Sequence, residues 1–423
     1  MLRRNKKQYF YNLRFSSQKE FWKAIKLINK QDTTIPALWD GSTPVNSNDA
    51  KAELLNSFFY ECFNHSFPPL GDPVPLDPET CPASILCSEE EILDLLCSLD
   101  GNKSTGLDGI SAVMLKQTAV SIAPSLTKLF NLSIATGSFP SDWKCARITP
   151  IFKSSDSSLP NNYRPISILS IASKLLEKHV HSLVFQQLND NCPISKFQWG
   201  FMPRRSTISA LCSLTYDWLK ELDNGNEICS IFFDLRKAFD SVPHVHLINK
   251  LSSLPLCPHI LQWIHSYLSE RSQVVAVGGE LSSVKNVVSG VPQGSVLGPL
   301  LFIIYIDDVV TRISSSSSIS LYADDIALYR SITSPTDYAV LQADISAIAT
   351  WVEEERHLKL HADKCHFMLI SRKRTCSIAP PALFVKAGTP LQQVNSAKYL
   401  GVLVTSDLSW SEHIARICSK PES

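Results

Sequence analysis

Two apolar segments joined by an acidic pair constrain the fold of this chain more than any other feature. Residues 321–329 read LYADDIALY, so Asp324 and Asp325 stand between two short runs of strand-forming side chains. This pattern predicts a β-hairpin with both carboxylates at its tip. Such a pair often serves only the turn, because Asp readily hydrogen-bonds its own backbone. A functional role therefore depends on what else the chain brings to the tip.

A second apolar run also ends on an acid. Residues 231–234 read IFFD, which predicts a buried strand that ends at Asp234. Because burying an isolated carboxylate costs free energy, an acid in this position favours a neighbouring cation. Side by side, Asp234 and Asp324 would offer the hard oxygen ligands that suit Mg²⁺, and a pair of such ions suits phosphoryl transfer.

The Y-x-D-D motif of residues 322–325 occurs a second time, at residues 305–308. Here the apolar run follows Pro299, a residue favoured in the first turn of a helix, and apolar side chains continue beyond the acids. We therefore expect Asp307 and Asp308 to lie at a helix exit and to have a structural role.

A glycine-spaced loop, SGVPQGSVLGP, occupies residues 289–299 between the two acidic strands. It lacks the lysine of a phosphate-binding P-loop. Its glycines would let the backbone approach a planar base pair, and Gln293 can both donate and accept hydrogen bonds. The alternative is a loop that only turns the chain.

The wider pattern predicts an α+β fold in which helices cover one side of a small, largely antiparallel sheet. Helices are expected near residues 21–28 and 54–59 and over 114–132, and Ser88 with Glu91 predicts a capping box at another helix start. Strands are expected at residues 146–152, 228–234, 273–277, 320–329, 365–370 and 399–404.

Composition and charge exclude several classes of protein. With 44% apolar and 19% charged residues the chain does not resemble a disordered protein, and its longest apolar run, residues 296–306, is too short to span a membrane. The basic N-terminus lacks the apolar stretch of a secretory signal, and the scattered cysteines indicate reduced thiols. We therefore expect a protein of the nucleus or cytoplasm, with no membrane partner.

Charge is balanced overall, with 40 basic and 40 acidic residues, but unevenly distributed. Residues 1–30 carry nine Lys or Arg against one acid, so this basic arm could bind phosphates or could be a solvated tail.

Taken in order, the motifs resemble the reverse transcriptase of jockey-like retrotransposons that lack long terminal repeats. The matching segments are GNKSTGLDGI (101–110), NNYRPISILSIASKLLEKHV (161–180), FQWGFMPRRST (197–207), FFDLRKAFDSVPH (232–244), SGVPQGSVLGPLLF (289–302), YADD (322–325) and KYLGVLV (398–404). The resemblance implies a right-hand polymerase that adds dNTPs to a DNA primer on an RNA template, with two Mg²⁺ ions, or Mn²⁺ in their place.

The resemblance also implies roles for individual residues. The catalytic metal ligands would be Asp234, Asp324 and Asp325, and Lys364 would protonate the leaving pyrophosphate. Residues expected to contact the incoming nucleotide are Phe239 as a steric gate against the ribose 2′-hydroxyl, Gln293 and Gly294 in the glycine-spaced loop, and Arg164 and Lys174 beside the triphosphate. Arg204 and Arg205 would lie near the template.

Apolar spacing and proline content predict that residues 1–67 form a helical extension with the basic arm and that 68–87 form a stiff, extended proline-rich linker. By the resemblance, residues 88–227 form the fingers and 228–375 the palm. Residues 376–423 would hold a primer-grip hairpin and a truncated thumb start, so short products are expected. His361 stands where the family commonly has Asn, three residues before Lys364. The alternatives are a weakly active or inactive nucleic-acid-binding remnant and, disfavoured by Phe239, an RNA-templated RNA polymerase.

Overall fold

The computed structural model describes residues 35–72, 76–153, 155–373, 378–386 and 388–419. The helices within these ranges are α1 (Asn48–Glu61), α2 (Glu89–Cys97), α3 (Ala112–Gln117), α4 (Ala119–Ala135), α5 (Ile171–Asn191), α6 (Thr207–Asp223), α7 (Ala238–Ser241), α8 (His244–Ser252), α9 (Pro258–Leu268), α10 (Gly298–Ile306), α11 (Pro335–Thr350) and α12 (Ser411–Ser419).

The strands are short and distributed along the described chain. They are β1 (Leu38–Asp40), β2 (Thr43–Val45), β3 (Cys145–Phe152), β4 (Tyr163–Ile168), β5 (Glu227–Phe233), β6 (Ser272–Val277), β7 (Glu280–Leu281), β8 (Lys285–Asn286), β9 (Ser318–Tyr322), β10 (Asp325–Ile332), β11 (His366–Ile370), β12 (Phe384–Lys386), β13 (Thr389–Pro390), β14 (Gln392–Gln393), β15 (Ser396–Tyr399) and β16 (Val402–Thr405).

The first sheet has the strand order β14-β11-β5-β10-β9 and is antiparallel except for the short pair of β11 with β14. Strand β5 lies at its centre, and all seven of its residues are buried. Its sequence, EICSIFF, does not alternate between apolar and polar side chains, as expected of a strand covered on both faces.

Both faces of the first sheet carry a core, which corrects the prediction that helices cover one side. Successive strand residues point to opposite faces, so Ile231 belongs to the main core while Phe232 belongs to a second cluster. Trp218 of α6 and Tyr399 of β15 help to form that second cluster. An uncovered face would leave Phe232 and its apolar neighbours in water.

Strands β3 and β6 belong to a second sheet of order β4-β3-β6-β7, with β8 also paired to β6. The prediction of a single sheet was therefore wrong. Because β10 and β11 already occupy both edges of β5, β3 and β6 pair with each other, in parallel, with Cys145 opposite Ser272. Helix α1 covers this sheet through a third core that includes Leu55 and Phe59.

Two predicted elements are interrupted. The helix expected over residues 114–132 divides into α3 and α4 at Thr118, where the backbone leaves the helical region at φ −99° and ψ 10°. The strand expected over 399–404 is a hairpin of β15 and β16, because Leu400 and Gly401 adopt φ values of 48° and 88°. Consecutive left-handed residues form a tight turn that reverses the chain.

The proline-rich segment also differs from the expected extended linker. Residues 76–87 contain two 3₁₀ turns, Pro78–Thr80 and Ala83–Ile85, and the side chains of Ile85 and Cys87 are buried in the main core. Apolar side chains among the prolines hold this part of the segment against the core.

The basic arm and the helix expected near residues 21–28 lie outside the described residues. All the cysteines that the structure describes are free thiols. Throughout the described ranges, every helix is too short or too polar to cross a membrane.

Candidate active site

The strand register brings three acids to one edge of the first sheet. Strand β10 pairs with β5 so that Ile326 lies opposite Phe233, the last residue of β5. Asp234 follows Phe233, and Asp324 and Asp325 precede Ile326, so all three leave the sheet at the same end. The hairpin tip and the strand end predicted from the sequence are therefore neighbours.

The turn that carries Asp324 is tight and is held from outside. Ala323 and Asp324 alone connect β9 to β10, and Ala323 adopts φ 53°, a conformation uncommon for residues other than glycine. The buried Gln198 side chain accepts hydrogen bonds from the amides of Ala323, at 3.0 Å, and Gly200, at 2.9 Å. Gln198 thus fixes the turn.

Burial and neighbouring negative charge raise the pKa values of Asp324 and Asp325. Burial raises the pKa of Asp324, and the negative charge of Asp234 adds to that rise. Asp325 keeps an exposed edge, but the surrounding protein and the charges of Asp324 and Asp234 raise its pKa to about 6. A divalent cation would relieve this repulsion, and carboxylate oxygens are the ligands it prefers. The donor set therefore fits such an ion.

Basic side chains from the second sheet face these acids. Arg164 on β4 lies opposite Ile151 of β3 and interacts electrostatically with Asp324 and Asp325. Lys153, just beyond β3, interacts with the same carboxylates. Desolvation lowers the pKa of Lys153, and the positive charges of Arg164 and Lys364 lower it further. Arg164 was expected here; Lys153 was missed, since nothing in its local sequence marks it.

Two main-chain hydrogen bonds connect Lys364 to the strand end at Asp234. The His361 amide donates to the carbonyl of Asp234 at 2.8 Å, and the Lys364 amide donates to the carbonyl of His361 at 2.8 Å in the 3₁₀ turn Ala362–Lys364. These contacts use only main-chain atoms of His361. Histidine in place of the family's usual asparagine is therefore compatible with this geometry.

The residues expected near the incoming nucleotide lie beyond Asp234. Phe239, on α7, stacks against Phe302 with ring centroids 4.2 Å apart. Its carbonyl accepts a 2.8 Å hydrogen bond from the Val291 amide, which joins α7 to the glycine-spaced loop. Phe239 is only partly buried.

The glycine-spaced loop is hydrogen-bonded to the second sheet and to α7. The Gln293 carbonyl accepts a 2.7 Å hydrogen bond from the Ser167 amide of β4, and its side-chain nitrogen donates to Asp240 at 2.7 Å. Gly294 adopts φ 121°, and a Cβ there would lie 2.5 Å from the Ser167 carbonyl oxygen. Glycine is thus required at this close approach.

Asp240 is a buried acid that the sequence analysis did not single out. Burial raises its pKa to about 6, although the Gln293 amide opposes the rise. One carboxylate oxygen accepts from Gln293, while the other has no hydrogen-bond partner among the described residues. Asp240 therefore orients Gln293 at a cost in desolvation.

The remaining basic residues that the sequence predicts for the site, Lys174, Arg204 and Arg205, lie on other segments of the chain. Lys174, in the first turn of α5, has Glu177 and Lys103 as its electrostatic neighbours. Arg205 donates to the carbonyls of Lys196, at 2.8 Å, and Gln198, and it lies over the Trp199 ring. Its guanidinium therefore holds the loop that positions Gln198. Arg204 is exposed at φ 60°.

The second acidic pair has the structural role expected of it. Helix α10 ends at Ile306, and a 3₁₀ turn follows at Asp307–Thr311. Asp307 accepts a 2.9 Å hydrogen bond from the Ser195 amide, and Asp308 forms ion pairs with Lys250 and Arg356. These contacts join α10 to three other segments.

Residues 151–404 match the family described as Reverse transcriptase (RNA-dependent DNA polymerase). Among curated relatives, the Probable RNA-directed DNA polymerase from transposon BS of Drosophila melanogaster is 31% identical over 333 residues, covering 77% of this chain and 36% of the relative. The RNA-directed DNA polymerases from mobile element jockey are 30% identical in D. melanogaster, covering 78% and 36%, and 31% identical in D. funebris, covering 81% and 37%. The chain thus spans little more than a third of their length.

Proposed function

The chain belongs to the reverse transcriptase (RNA-dependent DNA polymerase) family, and from this membership we propose that it carries an RNA-directed DNA polymerase centre. The family and the jockey-like relationship predicted from the motifs are confirmed. The observation that carries the proposal is the meeting of Asp234, Asp324 and Asp325 at one sheet edge, opposite Lys153 and Arg164. The reaction would join a dNTP to a primer 3′-hydroxyl on an RNA template and release pyrophosphate.

The proposed architecture is a right hand. The first sheet would form the palm, within residues 228–375, and residues 88–227 would form the fingers. Residues 1–67 would be an extension, 68–87 a connecting segment, and 376–423 the primer-grip hairpin and thumb start. Strand β6 falls within the proposed palm yet pairs with β3 of the proposed fingers, so the second sheet would couple these regions.

Members of this family generally use divalent metal ions. The three carboxylates would hold two Mg²⁺ ions, or Mn²⁺, which would activate the 3′-hydroxyl and neutralise charge on the phosphates. Lys153 and Arg164 would bind the triphosphate oxygens as fixed positive charges. Lys364 would donate a proton to the departing pyrophosphate from its position after the turn at His361.

The other basic residues would contribute to binding at greater distance. Arg204, being exposed, would contact the template backbone, and Arg205 would support the same loop. Lys174 would add positive charge near Lys103 on the proposed fingers. Such contacts position nucleic acid without reading its sequence.

The expected location of the protein remains the nucleus or cytoplasm.

Phe239, Gln293 and Gly294 would bound the nucleotide pocket. Because Phe239 is stacked on Phe302 and joined to Val291, its ring cannot easily withdraw, so it would exclude a ribose 2′-hydroxyl. Phe239→Ala should increase the use of rNTPs relative to dNTPs by about tenfold or more. If Phe239→Ala and the wild type discriminated equally between rNTPs and dNTPs in competition assays, Phe239 would not be a steric gate.

Primer extension on an RNA template tests the proposed activity. The purified full chain is expected to extend a DNA primer with dNTPs and Mg²⁺, and Asp324→Ala should abolish extension. Asp190→Asn, which removes an exposed carboxylate on α5, serves as the matched control and should retain activity. RNA binding with no incorporation by the wild type would instead favour the inactive remnant, and equal extension by wild type and Asp324→Ala would refute the proposed centre.

A further inference from the structure

A second group of metal-ligating side chains lies outside the proposed active site. The Cys87 thiol, the Glu91 carboxylate and the His179 ring each present one ligand atom, and the three atoms lie within 4.8 Å of one another. Cys87 and Glu91 lie at the start of α2, and His179 lies on α5. Local sequence does not mark this group, because the three side chains come together only when the two helices pack against each other.

The contacts of His179 are unusual for a neutral imidazole. Its Nδ1 lies 2.7 Å from the Glu91 carboxylate, and its Nε2 lies 2.9 Å from the Ile85 carbonyl oxygen. Both neighbours are acceptors, whereas a neutral ring has only one N–H donor. Either both nitrogens carry protons, or Nε2 donates to Ile85 and the Glu91 oxygen moves away from Nδ1, beyond 2.7 Å, so that both atoms ligate one cation.

The second arrangement matches the usual surroundings of a metal-bound histidine. A ligating imidazole commonly donates its other N–H to a backbone carbonyl, which fixes its orientation. The carbonyl of Ile85 would take that role. The capping box predicted for Ser88 and Glu91 is only half formed, because Ser88 accepts from the Glu91 amide while the Glu91 carboxylate turns to His179.

The positions of the other two ligands are also fixed. The Asn131 side chain bonds both the amide of Cys87, at 2.7 Å, and its carbonyl, at 3.0 Å. Burial raises the pKa of the Cys87 thiol to about 12, so the thiol keeps its proton unless a cation displaces it. Glu91 is 40% exposed, which gives an ion access from solvent.

We propose that Cys87, Glu91 and His179 bind one Zn²⁺ ion that joins the start of α2 to α5. A thiolate, an imidazole and a carboxylate are common zinc ligands, with bond lengths of about 2.0–2.3 Å, and water would complete a tetrahedral site. Binding would release the thiol proton, and any proton on Nδ1, to solvent. The ion would link segments distant in sequence and so stabilise the packing of the two helices.

Cobalt substitution tests this site, because Co²⁺ bound to a thiolate absorbs in the near ultraviolet and a tetrahedral complex absorbs in the visible. The reduced full chain, freed of metal and titrated with Co²⁺, should show both absorptions, saturating at one ion per chain and disappearing on addition of Zn²⁺. Cys87→Ser should lose the thiolate band. Cys97→Ser, which alters an exposed cysteine at the last residue of α2, is the matched control and should retain it.

Two further variants separate this site from other binding. Glu91→Gln should weaken Co²⁺ binding and shift the visible bands even where Cys87→Ser fails to fold. Asp324→Asn should leave the thiolate band unchanged, because the proposed active site contains no cysteine ligand. The proposal is overturned if the folded wild type shows no thiolate band, if Glu91→Gln leaves binding unaltered, or if the band survives Cys87→Ser. Loss of the band in Cys97→Ser would also overturn it.

Discussion

Among single residues, Asp240 is a buried carboxylate whose burial is unfavourable but whose hydrogen bond orients the Gln293 side chain. The residue is 7% exposed, and one carboxylate oxygen accepts from the Gln293 amide, while the other has no partner among the described residues. Burial raises its pKa from the usual value near 3.8 to about 6. Between these values the folded protein binds a proton that the unfolded chain has released. The contribution of Asp240 to stability must therefore fall as pH rises through this range.

We predict that Asp240→Asn reduces this pH dependence. The amide oxygen of Asn can still accept from Gln293, but it carries no charge, so the variant should gain stability relative to wild type between pH 4 and pH 6. The relative gain should be up to about 3 kcal/mol, from 1.36 kcal/mol per pKa unit. Urea unfolding across this pH range measures the difference, with Asp190→Asn as an exposed control. Parallel curves for wild type and Asp240→Asn would show that Asp240 does not titrate as described.

At the scale of elements, the hairpin of β9 and β10 is supported by the segment before α6. The amide of Trp199 donates to the Leu321 carbonyl at 2.7 Å, and the Leu321 amide donates to the Phe197 carbonyl at 3.0 Å. A Cβ at Gly200 would lie 2.5 Å from the Ala323 nitrogen. The position of the acidic turn therefore depends on a glycine far away in sequence.

Gly200→Ala should displace the turn and lower extension activity by at least tenfold, because a small misplacement of reacting groups greatly slows catalysis. The loss should appear in the incorporation rate at saturating template, with RNA affinity nearly unchanged. Gly71→Ala is the control, since a Cβ at Gly71 would meet no atom within 4 Å. If Gly200→Ala incorporated nucleotides at the wild-type rate, the turn would tolerate the displacement.

Local elements were more predictable from the sequence than their partners. The hairpin around Asp324 follows from neighbouring residues, and so does the helix that ends at Ile306. Gln198 and Lys153 could not be found in this way, because each acquires its role through a contact with a distant segment. The division into two sheets likewise depends on which strands compete for the edges of β5, which apolar patterning does not specify.

For the whole molecule the formal net charge is zero, although the N-terminal arm of residues 1–30 is strongly basic. If its nine cations bind phosphates, deleting residues 1–30 should reduce the log–log salt dependence of RNA affinity by several units. Fluorescence anisotropy at a series of KCl concentrations measures this slope. A full-length chain in which the nine Lys and Arg of residues 1–30 are replaced by Gln controls for length. An unchanged slope in both variants would assign the arm to another role.

Metal-directed cleavage tests whether Asp234, Asp324 and Asp325 form one divalent-metal centre, as we propose. With Fe²⁺ in place of Mg²⁺, ascorbate and peroxide generate radicals that cut the backbone next to the bound ion. We expect cuts near residue 234 and near residues 323–325 in the same molecules, and Mg²⁺ or the Asp324→Asn substitution should suppress both. Cuts near residues 87 and 179 would report the other proposed site and should persist in that variant. Cleavage at only one of the two acidic segments, or at neither, would contradict the centre described here.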